Sequence, residues 1–218
     1  MKTKNNLSAV TAALIESGSA NIHKTVLTTL LIAITVIGIT VKYAGADMVS
    51  MDSSFGPDTI THDTETGLKW LDVNLSTPYS YDEILIELEP GRTFAGYKLA
   101  TDDEIKTFWQ NAGINIGIIG SWATENFQPI VDLMALVGIT TVGGGGPGID
   151  WTTGHIKNRL GSGWVLVANI VADHNSPVTG MVSFGTVPSN NENDKHGSWL
   201  FAKPNLSGPS RQLLLLDD

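Results

Sequence analysis

A chain of 218 residues without a single cysteine excludes disulfides, thiolate metal sites and a cysteine nucleophile together. Only 16% of the residues are charged, against roughly 25% in an average domain. The formal net charge is −9 and no basic stripe interrupts it, which disfavours nucleic acid as a partner, because phosphate is bound through Lys and Arg clusters.

The first feature in chain order is an apolar run at residues 26–41 (VLTTLLIAITVIGITV), without charge or proline. Lys2, Lys4 and Lys24 precede it against one acidic residue, Glu16, and Ala44-Gly45-Ala46 follows. A basic leader, a short apolar run and an A-x-A site make a secretory signal, so residues 1–46 are expected to be removed after Ala46. The run has sixteen residues, short of the about 20 that span a bilayer. An uncleaved signal anchor, tethering the protein to the membrane, is the alternative, since the basic leader is long. From Asp47 to Asp218 there are 172 residues with a formal charge of −12, and no stable membrane span is expected among them. Without disulfides this part must be held by its core, and about 170 residues bury about 70% of their unfolded surface.

Residues 47–58 (DMVSMDSSFGPD) are polar and predict a mobile leader. After a turn-like Asp63-Thr64-Glu65, the alternation in Thr66–Asp72 predicts a short strand. Ser80-Tyr81-Asp82-Glu83 is a capping box ahead of Ile84, Leu85 and Leu88 at helical spacing, and Pro90-Gly91 stops that helix. Thr101-Asp102-Asp103-Glu104 is a second capping box, ahead of Ile105, Phe108 and Trp109, with Gly113 as its stop. A third helix is expected at Pro129–Val137, where proline in the first turn costs no hydrogen bond. Residues 143–148 (GGGGPG) read as a flexible loop, and β-like runs follow at Trp164–Val171, Gly180–Phe184 and Gly197–Ala202. Helices first and antiparallel-like strands afterwards predict one α+β domain over residues 59–203. Two or three helices should pack on a mainly antiparallel sheet, with a tail at residues 204–218.

The segments TGLKWLDV, SYDEILIEL, FAGYKLATDDEI and FWQNAGI, between Asp63 and Gly113, resemble a group of exported bacterial proteins that carry a PEP-CTERM sorting signal. Gly197-Ser198-Trp199-Leu200 matches the place where members of that group finish. The order T-G-L-x-W, helix, then G-x-x-x-A-T-x-x-E is also distantly similar to the Lcl C-terminal domain family, which implies a secreted module with a C-type-lectin-like arrangement. The chain ends PNLSGPSRQLLLLDD, without the Pro-Glu-Pro motif, apolar helix and arginine cluster of the sorting tail. A freely secreted or periplasmic protein is therefore expected. The resemblance brings no catalytic residue with it.

Candidate chemistry is sparse. Gly143–Gly148 satisfies G-x-G-x-x-G formally, but Pro147 and the non-helical Ile149–Gly154 leave no helix N-terminus to hold a phosphate. No G-x-S-x-G occurs. His62, His155, His174 and His196 read as lying in separate loops without metal-ligand spacing. Asp102, Asp103 and Glu104 suit the positive end of their helix for dipole reasons alone. Asn190–Asp194 is rich in side-chain oxygens. A solvated turn is the plain reading, and in a lectin-like arrangement Glu192, Asn193 and Asp194 would be calcium ligands. Of six tryptophans, Trp70, Trp109, Trp164 and Trp199 fall in predicted elements and read as core. Trp122 and Trp151 fall in loops, where half-buried packing is the commoner fate and stacking on a sugar or a partner is the sharper one.

Two functions follow. One is an exported non-catalytic binding or surface/matrix module whose partner is extracellular polysaccharide or other cell-surface material. The other is a secreted, glycosidase-like hydrolase using two of the dispersed carboxylates. A structural envelope protein that binds copies of itself is a third, blander reading.

Overall fold

The computed structural model describes residues 47–161, 163–190 and 195–203. The expected signal segment, the tail and Glu192, Asn193 and Asp194 lie outside them. The described residues fall within one unit, and none of their helices is long and apolar enough to cross a membrane.

The fold is α+β, built on two sheets. The first sheet runs β1 (Met48–Ser53), β2 (Gly56–Asp63), β3 (Lys69–Leu71), β10 (Leu200–Ala202) and β4 (Lys98–Leu99), antiparallel throughout. The second runs β5 (Thr141–Val142), β6 (Ile149–Leu160), β7 (Trp164–Asp173) and β8 (Thr179–Pro188). The two residues of β9 (Gly197–Ser198) pair in parallel with β6 at Gly154 and His155. The segment expected to be a mobile leader is therefore β1 and the start of β2. Met48 and Met51 point to opposite sides of the strand and pack on different hydrophobic clusters, which its polar composition concealed.

Three helices accompany the sheets: α1 (Tyr81–Glu87), α2 (Asp102–Asn111) and α3 (Phe127–Val137). Both expected capping boxes form. Ser80 Oγ accepts from Glu83 N while Glu83 accepts from Ser80 N, and Thr101 and Glu104 repeat the exchange. Lys106 pairs with Asp102 at 3.2 Å and Asp103 at 3.7 Å, so the acidic first turn of α2 serves the helix itself.

Successive residues of β3 face opposite sides, and Trp70 and Leu71 are buried in different clusters, so the strand is covered on both faces. Trp70 stacks on Phe108 of α2 with ring centroids 4.2 Å apart and leans on Phe201 of β10. Trp109 and Trp199 close this aromatic cluster, and Ile130, Leu133 and Val137 of α3 extend it onto the inner face of the second sheet. Leu71, on the opposite side of β3, joins Ile60, Ile84, Phe94 and Leu200 in a second cluster under α1. Trp70, Trp109 and Trp199 are core as expected. Trp164 is not: it starts β7 at the far end of the hairpin and is 44% exposed.

Close backbone approach explains two glycines. A Cβ on Gly197 would stand 1.9 Å from the Val73 carbonyl oxygen, and one on Gly154 2.7 Å from the Trp199 ring. These contacts let β9 lie against β6 and the 3-10 turn at Val73–Ser76.

Candidate functional site

The second sheet has two unlike faces. Thr152, Ile170 and Val182 form one cross-strand row, Gly154, Ala168 and Phe184 the next, and both look toward α3 and the main core. On the outer face the rows are Trp151–Val171–Met181, Thr153–Asn169–Ser183 and His155–Val167–Gly185. A polar row thus lies between an aromatic one and a histidine one, with Asn169 Nδ2 3.3 Å from Ser183 Oγ.

That outer face holds a cavity of about 210 Å3 lined by Thr141, Gly144, Trp151, Thr153, Val167, Asn169, Lys195 and His196. The glycine run forms its rim. Thr141 of β5 pairs with Trp151, and the chain then turns back through Gly143–Gly146. A Cβ on Gly144 would come within 3.1 Å of the Trp151 ring and one on Gly145 within 3.6 Å of its Nε1, so the loop backbone rests on the indole because it lacks side chains. The run expected to be a flexible loop is the cover of a tryptophan.

Trp151 is half-buried in β6 rather than in a loop. Its Nε1 is enclosed without a partner among the described residues, as is His196 Nδ1. Trp122 is 45% exposed on the loop before α3. Its neighbour Ala123 bridges Gly180 at the outer edge of β8, whereas Trp151 sits beside β5 at the opposite edge of the sheet. The structure therefore does not bring Trp122 and Trp151 into one site, and only Trp151 lines the cavity.

The histidines are not scattered as their sequence positions suggest. His155 lies in β6 and His196 just ahead of β9, with ring centroids 6.3 Å apart. His155 Nδ1 is 3.3 Å from Ser198 Oγ, and Ser198 N donates to Ser76 Oγ at 2.7 Å. Burial, and secondarily the neighbouring His196, push the His155 pKa down to about 4. Burial, then Lys195, lower that of His196. Both rings are held neutral by exclusion from water. The Ser198–His155 pair has the outline of a nucleophile and its base, but Ser198 is 1% exposed and no described carboxylate bonds to the ring. It braces β9. His174 stands apart, 3.3 Å from Asp150.

Among carboxylates, Asp72 stands out. Its Oδ1 is buried without a described partner, and desolvation, with a contribution from Asp58, raises its pKa to about 6. No group of three or more His, Cys, Asp or Glu side chains among the described residues is arranged to hold a metal ion.

No protein-family profile, no curated protein and no solved structure matches the chain.

Proposed function

We propose that this protein is an exported, non-catalytic binding module for extracellular polysaccharide, and that the cavity on the outer face of the second sheet takes one sugar unit. The observation that carries the reading is the half-buried Trp151 indole bordering a small cavity with hydroxyl, amide and imidazole groups on the other sides. A flat aromatic surface covers the apolar face of a pyranose while fixed polar groups meet its hydroxyls. Thr153 and Asn169 sit on regular strands, which positions them more rigidly than a loop does. The resemblance to exported surface proteins supports the same reading.

The test is a polysaccharide array with the purified protein, with and without calcium, followed by calorimetry on each hit. Trp151→Ala and Asn169→Ala are expected to weaken binding at least about tenfold, the loss of roughly 1.4 kcal/mol, while Trp122→Ala leaves it unchanged. A Trp151→Ala protein of native melting temperature that binds as tightly as the parent overturns the proposal. The hydrolase reading has one observation in its favour, the raised pKa of Asp72 with Asp58 beside it. Asp72 does not line this cavity, and incubation with the bound polysaccharide is expected to release no reducing ends.

A further inference from the structure

A second cavity, of about 480 Å3, opens beside β4, the last strand of the first sheet, and shares no lining residue with the cavity on the second sheet. Its floor is apolar: Leu99 and Phe201 are buried, Leu88 and Tyr97 stand partly covered, and Leu85 of α1 remains 43% exposed at its side. Its rim is cationic. Lys98 projects from β4 on the same face as its partner Phe201, Lys157 comes from β6, whose backbone N–H donates to Ala100 O at 2.7 Å, and Lys203 follows β10. All three side chains are exposed, and none forms an ion pair among the described residues, where Lys106 and Arg159 do. The one acidic group of the lining, Glu104, is committed to its capping box through Thr101 N and Oγ1.

Three ammonium groups against a single carboxylate around one apolar groove run against the charge of this chain, which is −9 overall. Lysines on an edge strand also deter sheet-to-sheet pairing, but only Lys98 lies on that edge; Lys157 and Lys203 arrive from other segments. We propose that this groove binds a small amphipathic carboxylate, with the apolar body on Leu85, Leu88 and Tyr97 and the carboxylate among Lys98, Lys157 and Lys203. The volume lies within the roughly 300–1,000 Å3 of small-molecule pockets. Charge complementarity selects the anion, and the leucine floor selects a hydrocarbon body over a sugar. This site is independent of the sugar cavity.

The probe is dodecanoate below its micelle concentration, titrated calorimetrically into the purified protein, with acetate, dodecyltrimethylammonium and polygalacturonate as comparisons. Dodecanoate alone is expected to bind, and more weakly as salt is raised, since the pairs are exposed. The triple variant K98Q/K157Q/K203Q is expected to weaken it at least about tenfold, and Leu85→Ser to weaken it with the lysines intact. Equal binding of dodecyltrimethylammonium, or undiminished binding by a triple variant of native melting temperature, overturns the proposal. So does lysine-dependent binding of polygalacturonate without dodecanoate, which would make the groove a polyanion site.

Discussion

His155 ties the chemistry of a single ring to the stability of the whole fold. Its pKa of about 4 in the folded protein lies below the ordinary value of 6.5, because burial penalises the imidazolium. As pH falls from 6.5, the unfolded chain takes up this proton first, so the contribution of neutral His155 is present above that value and is lost progressively toward pH 4. At full protonation the loss amounts to roughly 3 kcal/mol. Asp72 runs the other way in part of the same window. With its pKa raised from 3.8 to about 6, its contribution is present at low pH and is lost as pH rises through the higher value. Comparing two variants isolates the histidine. In a Ser198→Ala background, which removes the hydroxyl His155 faces, His155→Leu is expected to flatten the acid limb of urea-unfolding stability between pH 6.5 and 4. An acid limb unchanged by the substitution would show that the ring titrates alike in the folded and the unfolded chain, and would overturn the depressed pKa. The sequence places His155 in a loop, whereas it lies within β6. The spacing of Trp151, Thr153 and His155 shows the period of two, but the alternate positions Thr152 and Gly154 are neither charged nor strongly apolar, so the contrast that marks a strand is absent.

At the scale of elements, what was legible was local. Both capping boxes, the helix from Pro129 and the strands of the β7–β8 hairpin announce themselves within a few residues, because caps and periodicity act over one or two turns. What was not legible depends on chain segments meeting. The two-residue strand β9 is held by its parallel pairing with β6 and by the absence of a side chain on Gly197. A methyl group there would fall 1.9 Å from the Val73 carbonyl oxygen, and a backbone atom cannot rotate out of the way as a side chain can. Gly197→Ala is therefore expected to cost about 3 kcal/mol or more, whereas Gly161→Ala, with nothing within 4 Å of its Cβ, costs little. Melting temperatures of the two variants check this. Because His196 and Ser198 flank Gly197, the same substitution is expected to disturb the polar wall of the sugar cavity, which equal ligand affinity of the folded variant would contradict. The cavity itself is half legible in the sequence: Trp151 and the glycine run each stand out, while their contact with one another and the partners on β7 do not.

On the scale of the molecule, the first sheet separates two hydrophobic clusters, and the α+β class was readable because each helix and the strands β3, β7, β8 and β10 carry their own signals. The division into two sheets was not, since it rests on which strand edges meet. β1 shows the consequence. Its polar composition suggested a leader outside the domain, yet Met48 packs against the cluster under α2 and α3, and Met51 against the one under α1. One edge strand thus braces both cores through side chains three residues apart, while Val49 between them stays 43% exposed. Half-burial of each methionine contributes about 1 kcal/mol, so Met48→Ser with Met51→Ser is expected to destabilise the protein by about 2 kcal/mol. Because both clusters lose support at once, unfolding should remain a single transition, with fluorescence and circular dichroism reporting the same midpoint. In hydrogen exchange, the peptide spanning residues 47–53 should be protected in the parent protein and lose that protection in the double variant. A leader independent of the domain predicts the opposite on both counts: free exchange in the parent and no change of midpoint in the variant.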